Sequence, residues 1–235
     1  MVDDLKAKAM QVYDLLVERY GAQPLVPRRQ PMHELISTIL SQRTTEHNEA
    51  VAYDRMWKKF GSWEAIRDAP VAELTEAIAP SNYPETKAPH IKETLRQIIE
   101  ERGEANIDLL ADLPPDEGLA WLMSHPGVGI KTASLVLLFC FSKPVMPVDT
   151  HVFRVSQRVG LIPPKANTES AHHMLLALFP PDPYTLFNFH ISALKHGQQL
   201  CIWGENPRCE PCPLKDLCNW YQANRAPKSP KTVSQ

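Results

Sequence analysis

The sequence predicts an all-α fold. Apolar residues recur at helical spacing along the whole chain, whereas the alternating runs that form strands are scarce. Most of the 22 prolines lie between the periodic segments, where they end short helices without interrupting long ones. We therefore expect about ten helices joined by short connections.

The first predicted helix covers residues 4–20 and ends at Gly21, a residue type that favours the end of a helix. Its apolar face consists of residues at helical spacing, namely Leu5, Ala9, Val12, Leu16 and Tyr20. A proline-rich linker, residues 21–31, separates it from the remaining helices. A later helix that begins near Ile130 is apolar on all sides over residues 135–141, so we expect it to lie in the core.

Composition restricts the class of protein. A chain of 235 residues with 43% apolar and 22% charged residues is typical of a globular protein with one or two domains. We expect a cytoplasmic protein, because the N-terminus has no apolar leader and no apolar run approaches the roughly 18 residues of a membrane span. The net charge of −2 means that any polyanionic partner must meet a local basic surface.

A short connection with two glycines precedes the apolar helix. The segment His125-Pro126-Gly127-Val128-Gly129-Ile130-Lys131 leads from one predicted helix into the next. Glycine allows a backbone to approach another molecule closely, and the N-terminus of a helix attracts anions such as phosphate. The alternative is purely steric, since a tight connection between two packed helices also needs glycine.

Lys131 and Asp149 are the two candidate catalytic residues. A lysine in the first turn of a helix opposes the helix dipole, and burial would further favour the free amine, which is a nucleophile. The alternative for Lys131 is a solvent-facing side chain whose stem covers apolar surface. Asp149 directly precedes a helical segment and is predicted to be its N-cap, a role that is compatible with catalysis because it fixes a carboxylate in one orientation.

Four of the five cysteines form a compact C-terminal cluster with the spacing C-x7-C-x2-C-x5-C, at Cys201, Cys209, Cys212 and Cys218. Tightly spaced disulfides are not expected in an intracellular chain, so the cluster predicts a metal site. A zinc site of four cysteines usually has two separated C-x2-C pairs, so this spacing favours a 4Fe-4S cluster over zinc. The fifth cysteine, Cys140, is predicted to be a core residue.

Taken together, these segments resemble the helix-hairpin-helix base-excision DNA glycosylases, and in particular endonuclease III, over residues 35–218. The resemblance implies two helical lobes with a helix-hairpin-helix and a C-terminal iron-sulfur loop. It divides the chain into a helical barrel domain (31–142), a discontinuous cluster domain (1–30 with 143–220) and a disordered tail (221–235). The family has C-x6-C where this chain has C-x7-C, an insertion that the loop around Gly204 can absorb.

The resemblance also implies an activity. Lys131 falls at the family's Schiff-base lysine and Asp149 at its catalytic aspartate, which implies a bifunctional DNA glycosylase/AP lyase that acts on oxidised pyrimidines and on abasic sites in double-stranded DNA. Such an enzyme flips the target nucleotide out of the duplex and fills the gap with side chains. We expect a monomer associated with the nucleoid. The implied DNA-binding residues are Gln42, Arg43, Tyr83, Lys87, Gly127, Val128, Gly129 and His151.

Three questions stay open at this stage. Either Gln42 or Arg43 could be the residue that enters the base stack. A monofunctional mismatch glycosylase would release a base without cutting the strand, and a non-enzymatic DNA-structure binding module would use the hairpin only to hold phosphate. The preferred lesion does not follow from the sequence.

Overall fold

The computed structural model describes residues 2–27 and 29–225. Within these residues the chain forms helices and no strand, so the prediction of an all-α fold is confirmed for them. The α-helices are α1 (Val2–Tyr20), α2 (Pro31–Leu40), α3 (Glu46–Phe60), α4 (Trp63–Asp68), α5 (Val71–Ala77), α6 (Pro84–Arg102), α7 (Pro115–Met123), α8 (Ile130–Phe141), α9 (Thr150–Val159), α10 (Thr168–Leu176), α11 (Pro183–Gln199) and α12 (Asn219–Arg225). Two short 3-10 helices lie at Asp108–Ala111 and Lys215–Leu217.

The helices form two compact units. One consists of residues 25–147, and the other combines the residues up to Pro24 with those from Val148 onward. The sequence analysis placed the corresponding boundaries after residues 30 and 142. Twelve α-helices lie within the described residues, where the sequence predicts about ten, and α4 and α5 are the shortest of those in the unit 25–147, with six and seven residues.

Helix α8 forms the centre of the unit 25–147. Helices α2 and α7 pack against it, and its residues from Thr132 to Leu138 are buried, as the apolar sequence predicts. Helix α6 packs against α4, α5 and α2. Because α2, α6 and α8 are held together in this way, the ends of the loops that they carry are fixed in position.

Helix α11 forms the centre of the second unit and packs against α1 and α9. The buried face of α1 includes Ala9, Val12 and Leu16, and Gly21 follows the helix at φ 74°, both as predicted. Lys8 on α1 donates a hydrogen bond of 2.7 Å to the carbonyl oxygen of Val159, the last residue of α9. The first and last helical segments of the chain therefore share one core.

The C-terminal tail begins later than the sequence predicts. Residues 221–225, expected to be disordered, form the end of α12. Trp220 anchors this helix, since the Arg158 guanidinium lies 5.1 Å from its ring centroid, and the Gln222 side chain donates to the carbonyl of Asp216 at 2.8 Å. The rest of the predicted tail, residues 226–235, lies outside the described residues.

Among the helices of the described segments, none is long and apolar enough to cross a membrane.

Candidate active site and nucleic-acid interface

A hairpin joins α7 to α8 and contains both glycines singled out by the sequence. Gly127 has φ 74°, and a Cβ at this position would lie 3.0 Å from the Cβ of His90, so packing and conformation both require glycine. Gly129 is different, because its φ of −92° suits any residue and no protein atom lies within 4 Å of where its Cβ would be. Glycine is one of the residue types that serve as N-caps, and the open space at Gly129 would also admit a close approach from outside.

Two side chains hold the hairpin from outside. The Thr94 hydroxyl donates to the carbonyl oxygen of Pro126 at 2.9 Å, and the Gln42 side-chain amide donates to that of Gly127 at 2.8 Å. Gly129 is the N-cap of α8 and has no side chain to accept from the first-turn amides, which have no acceptor within the helix. The hairpin therefore presents amide hydrogens in a fixed arrangement suited to a phosphate.

Lys131 lies in the first turn of α8 and is partly exposed, in contrast to the buried residues that follow it. Its charge acts on Glu34 of α2, whose side chain is only 14% exposed. Burial raises the pKa of Glu34, and the charges of Arg29 and Lys131 act in the opposite direction. The amine thus faces an acidic group that the sequence analysis did not identify.

Arg29 links that acidic group to a second one. Its guanidinium lies 4.0 Å from the Glu34 carboxylate and 3.3 Å from that of Glu49, which is 5% exposed. These residues are separate in the sequence and follow no motif, so only the packing of α2 and α3 brings them together. The arrangement groups two carboxylates around one guanidinium, and the charges of this group act on both Lys131 and Cys140 of α8.

The wedge loop, residues 41–45, connects α2 to α3 and carries both candidates for entry into the base stack. Gln42 is half-buried, and its side-chain amide is engaged by the hairpin, whereas Arg43 is exposed. Arg43 has φ 54°, a left-handed conformation that is uncommon for a residue with a side chain. The loop therefore projects Arg43 and keeps Gln42 against the protein.

Tyr83 lies beside Arg43 although the two are forty positions apart in the sequence. Its side chain is 55% exposed, its φ is 59°, and the Arg43 guanidinium lies 5.8 Å from its ring centroid. The Asn82 side chain donates to the carbonyl oxygen of Arg43 at 2.6 Å. Two exposed side chains, one cationic and one aromatic, thus share one protruding surface.

Lys87, implied as a DNA-binding residue by the resemblance, has its ammonium group inside the protein. The residue is 4% exposed and donates to the carbonyl oxygens of Leu40 and Gln42, each at 2.7 Å, and to the Ser81 hydroxyl at 2.6 Å. Burial lowers the pKa of Lys87 to about 8. Its bonds go to the backbone of the wedge loop and to the loop that carries Tyr83.

Asp149 is the N-cap of α9 in the other unit, as the sequence predicts. Its Oδ1 accepts from the amides of His151 and Val152 at 2.8 and 2.7 Å, which fixes the carboxylate at the start of the helix. His151 and the buried Arg154 are held by the same region, since the Arg154 guanidinium contacts His151 Nδ1 at 3.1 Å and donates to the carbonyl of Gly197 at 2.7 Å. Gly197 is what allows α11 so close, because a Cβ there would lie 2.7 Å from the Cβ of His151.

The four clustered cysteines line one narrow pocket in the same unit. Burial raises the pKa of Cys212 and of Cys218 to about 11, and the neighbouring thiols act in the same direction. Among the described residues no group of three or more His, Cys, Asp or Glu side chains has the spacing of a bound metal ion. The thiols share a pocket, and a positively charged core is what would allow all four to ionise there.

The groups around this pocket suit thiolates that keep a net negative charge after they bind a metal core. Arg158 approaches Cys201 Sγ at 3.4 Å and donates to the carbonyl oxygen of Ile202 at 2.8 Å. His196 Nε2 lies 3.5 Å from Cys212 Sγ, while its Nδ1 lies 3.1 Å from the Tyr20 hydroxyl. Four thiolates around a core of charge 2+ would carry a net charge of about −2, which the adjacent guanidinium offsets in part. The residues therefore fit the cluster that the sequence analysis predicts.

Comparison with known proteins identifies the family. The model of the HhH-GPD superfamily of base excision DNA repair proteins matches residues 36–181, so the chain belongs to this superfamily. Endonuclease III of Thermotoga maritima is 35% identical over 193 residues, which are 82% of this chain and 84% of that protein. The resemblance to endonuclease III stated from the motifs is thereby confirmed.

Two further matches are informative. A solved structure of endonuclease III trapped as a covalent intermediate with DNA has a TM-score of 0.79 and 25% identity, covering 94% of this chain and 99% of that one. The DNA glycosylase/AP lyase ROS1 of Arabidopsis thaliana is 29% identical over 174 residues, which are 68% of this chain and 12% of ROS1. The fold and the repair family agree with the sequence analysis, while the roles of individual residues stay predictions.

Proposed function

We propose that this protein is a bifunctional DNA glycosylase/AP lyase that removes oxidised pyrimidines from double-stranded DNA and cleaves the strand through a Schiff base on Lys131. Membership of a base-excision repair family supports the reaction class. The observation that carries the proposal for this chain is a partly exposed amine in the first turn of α8, directly after a hairpin with the features of a phosphate site.

In the proposed reaction the Lys131 amine attacks C1′ of an extruded nucleotide. The bond between C1′ and the base breaks, and the base leaves with the electron pair and takes one proton from the nitrogen. The bond from C1′ to the ring oxygen then breaks, the ring oxygen takes a proton from water, and C1′ stays joined to the nitrogen as a protonated imine. Removal of a C2′ proton then breaks the bond from C3′ to oxygen, and water hydrolyses the imine to regenerate the lysine.

Asp149 is the second catalytic residue in this proposal. Its capping bonds both use Oδ1, so the carboxylate is already oriented before substrate arrives, with Oδ2 as the oxygen that meets the substrate. A fixed negative charge stabilises the positive charge that develops on the sugar as the base departs. His151 begins the same helix and is proposed to contact the DNA backbone.

Extrusion leaves a gap in the stack, and we assign Arg43 and Tyr83 to fill it. Both are exposed, adjacent and held in left-handed conformations, whereas Gln42 bonds to the hairpin. The hairpin residues Gly127 and Gly129 hold a phosphate nearby through backbone amides, and Val128, whose amide donates to the His125 carbonyl at 3.2 Å, shapes the turn between them. The proposed partner is double-stranded DNA with a damaged or abasic site, bound by a monomer that acts at the nucleoid.

A covalent trapping experiment tests the activity. Borohydride should link the protein to DNA that carries an abasic site, and Lys131→Gln should abolish the adduct. The matched control is Lys143→Gln, which removes a lysine near the other end of α8 that donates to the carbonyl of Ala111. An adduct that persists in Lys131→Gln would refute the assigned nucleophile, and release of a base without any adduct or nick would indicate a monofunctional glycosylase.

We further propose that Cys201, Cys209, Cys212 and Cys218 hold a 4Fe-4S cluster. The shared pocket and the adjacent Arg158 support this assignment. The cluster would close the C-terminal segment onto α9 and α11, a structural role. The purified protein should be brown and should lose both colour and iron on Cys212→Ala but not on Cys140→Ala, whereas stoichiometric zinc without iron would overturn the assignment.

A further inference from the structure

The Lys87 ammonium is surrounded by hydrogen-bond acceptors of the protein itself. An ammonium group has three donors, and Lys87 directs them to three oxygens, those of Leu40, Gln42 and Ser81. The Ser81 hydroxyl in turn donates to the Leu40 carbonyl at 2.8 Å and is fully buried. The four residues form a closed network in which every donor of the lysine is used.

This network joins the two loops that carry the protruding side chains of Arg43 and Tyr83. Gln42 immediately precedes Arg43, and Ser81 lies two residues before Tyr83. The Asn82 side chain adds a bond of 2.6 Å to the Arg43 carbonyl, so both loops are tied at their backbones. The left-handed conformations of Arg43 and Tyr83 are unfavourable for residues with a side chain and persist only where neighbouring structure imposes them.

The same network extends to the hairpin. Lys87 holds the Gln42 carbonyl, and the Gln42 side chain donates to the Gly127 carbonyl. One buried ammonium thus fixes the spacing between the residues assigned to the gap and the residues assigned to the phosphate.

The energetics favour a role in positioning. Lys87 has no carboxylate among its hydrogen-bond partners, so the burial of its charge is offset by neutral oxygens only. A buried charge without a counter-ion contributes little to stability compared with an apolar side chain of similar volume, and its best-attested benefit is to specify one geometry.

We propose that Lys87 is a positioning residue for nucleotide extrusion, which acts by holding the wedge loop and the Tyr83 loop in one arrangement and does not itself contact DNA. This inference rests on the proposed function. Lys87 would act in the opening of the duplex, a step that is separate from the chemistry of Lys131.

Three variants isolate this role. Lys87→Met keeps the length of the side chain and removes every donor, and Lys87→Arg restores charge and donors in a different geometry. The matched control is Lys92→Met, because Lys92 lies on the same helix α6 and also donates to two backbone carbonyls, those of Arg67 and Ala69, in a connection remote from the wedge loop. Should Lys87→Met fail to fold, Ser81→Ala removes one acceptor of the network and keeps the lysine.

Two measurements separate opening from chemistry. The first is the fluorescence of 2-aminopurine placed beside a stable abasic analogue in a duplex, which increases when side chains unstack it. The second is the rate of borohydride trapping on an abasic site, in a duplex and in a single strand that needs no opening. Lys87→Met should lower the 2-aminopurine response and the duplex trapping rate by about tenfold or more, since an unfilled gap costs a few kcal/mol.

Single-strand trapping by Lys87→Met should stay within about twofold of the wild-type rate, Lys92→Met should match wild type in both assays, and Lys87→Arg should recover part of the response. A wild-type response in Lys87→Met, or an equal loss on single and double strands, would overturn the inference. If the wild-type protein forms no adduct at all, the proposed chemistry fails, and the fluorescence of the same variants still decides whether Lys87 positions the loops.

Discussion

Replacement of Gly197 by alanine should impair catalysis through the position of Asp149. Two opposing effects set the change in stability. Alanine is favoured over glycine within a helix by about 0.5–1 kcal/mol, but the new Cβ would lie 2.7 Å from the Cβ of His151 and 3.1 Å from its Cα. Ordinary contacts begin at 3.4 Å, so α9 must move by about 0.7 Å, and overpacking of this kind costs about 1–3 kcal/mol.

The displaced atoms belong to the first turn of α9, where His151 accompanies the capping carboxylate. A misplacement of about 1 Å in a catalytic group can lower a rate by about a hundredfold, so a shift of this size should slow base release by about tenfold or more while the net stability falls by about 1–2 kcal/mol. Single-turnover base release and thermal unfolding measure the two quantities on the same protein.

Gly118→Ala is the control for this substitution. Gly118 also lies within a helix, but its Cβ would meet a methyl group of Leu137 at 3.0 Å, the flexible end of a side chain. This variant should keep its activity. Wild-type base release in Gly197→Ala, or an equal loss of rate in both variants, would refute the reasoning.

Three further predictions follow from the described contacts. Asp149→Ala should lower the free energy of unfolding by about 1 kcal/mol through loss of the cap, whereas Asp149→Asn should keep most of the stability and still lose about a hundredfold in base release; equal stability of the two variants would contradict this. Above pH 8, the free energy of unfolding of the wild type should rise relative to that of Lys87→Met, by at most about 1 kcal/mol per pH unit. The reason is that burial lowers the pKa of Lys87 to about 8 in the folded protein, whereas the unfolded chain keeps this proton up to a pKa near 10.5. Parallel pH profiles of the two proteins in denaturant titrations would argue against this prediction. Gly127→Ala should lose about 1–2 kcal/mol of stability because of the positive φ at this position and the contact with His90. Gly129→Ala should fold as the wild type does and should bind a duplex with an abasic site more weakly. Wild-type affinity of Gly129→Ala for this duplex would contradict a close approach of DNA to Gly129.

The sequence was sufficient for features that depend on local spacing. The helical fold, the hairpin, the cap at Asp149 and the buried face of α1 each follow from residues within about two turns of one another, where periodicity and capping chemistry act directly.

Features that depend on long-range packing did not follow from the sequence. Lys87 was assigned to the DNA-binding surface through the family resemblance, but its side chain is buried and its partners Leu40 and Gln42 are more than forty positions away. The group of Arg29, Glu34 and Glu49 likewise combines isolated charges that only the packing of α2 and α3 brings together. A charged residue whose partners are distant in sequence has no local signal of burial.

The bond between the Gln42 amide and the Gly127 carbonyl also affects how such a protein would survey intact DNA. Because it joins the wedge loop to the hairpin, a phosphate held by the hairpin, as proposed above, would also favour the protruding positions of Arg43 and, through the bond from Asn82 to the Arg43 carbonyl, of Tyr83. Intact duplex would then have to kink around two protruding side chains, which is easier where stacking is weak or pairing is disturbed. The protein would therefore test how easily each base step deforms before any base reached Lys131.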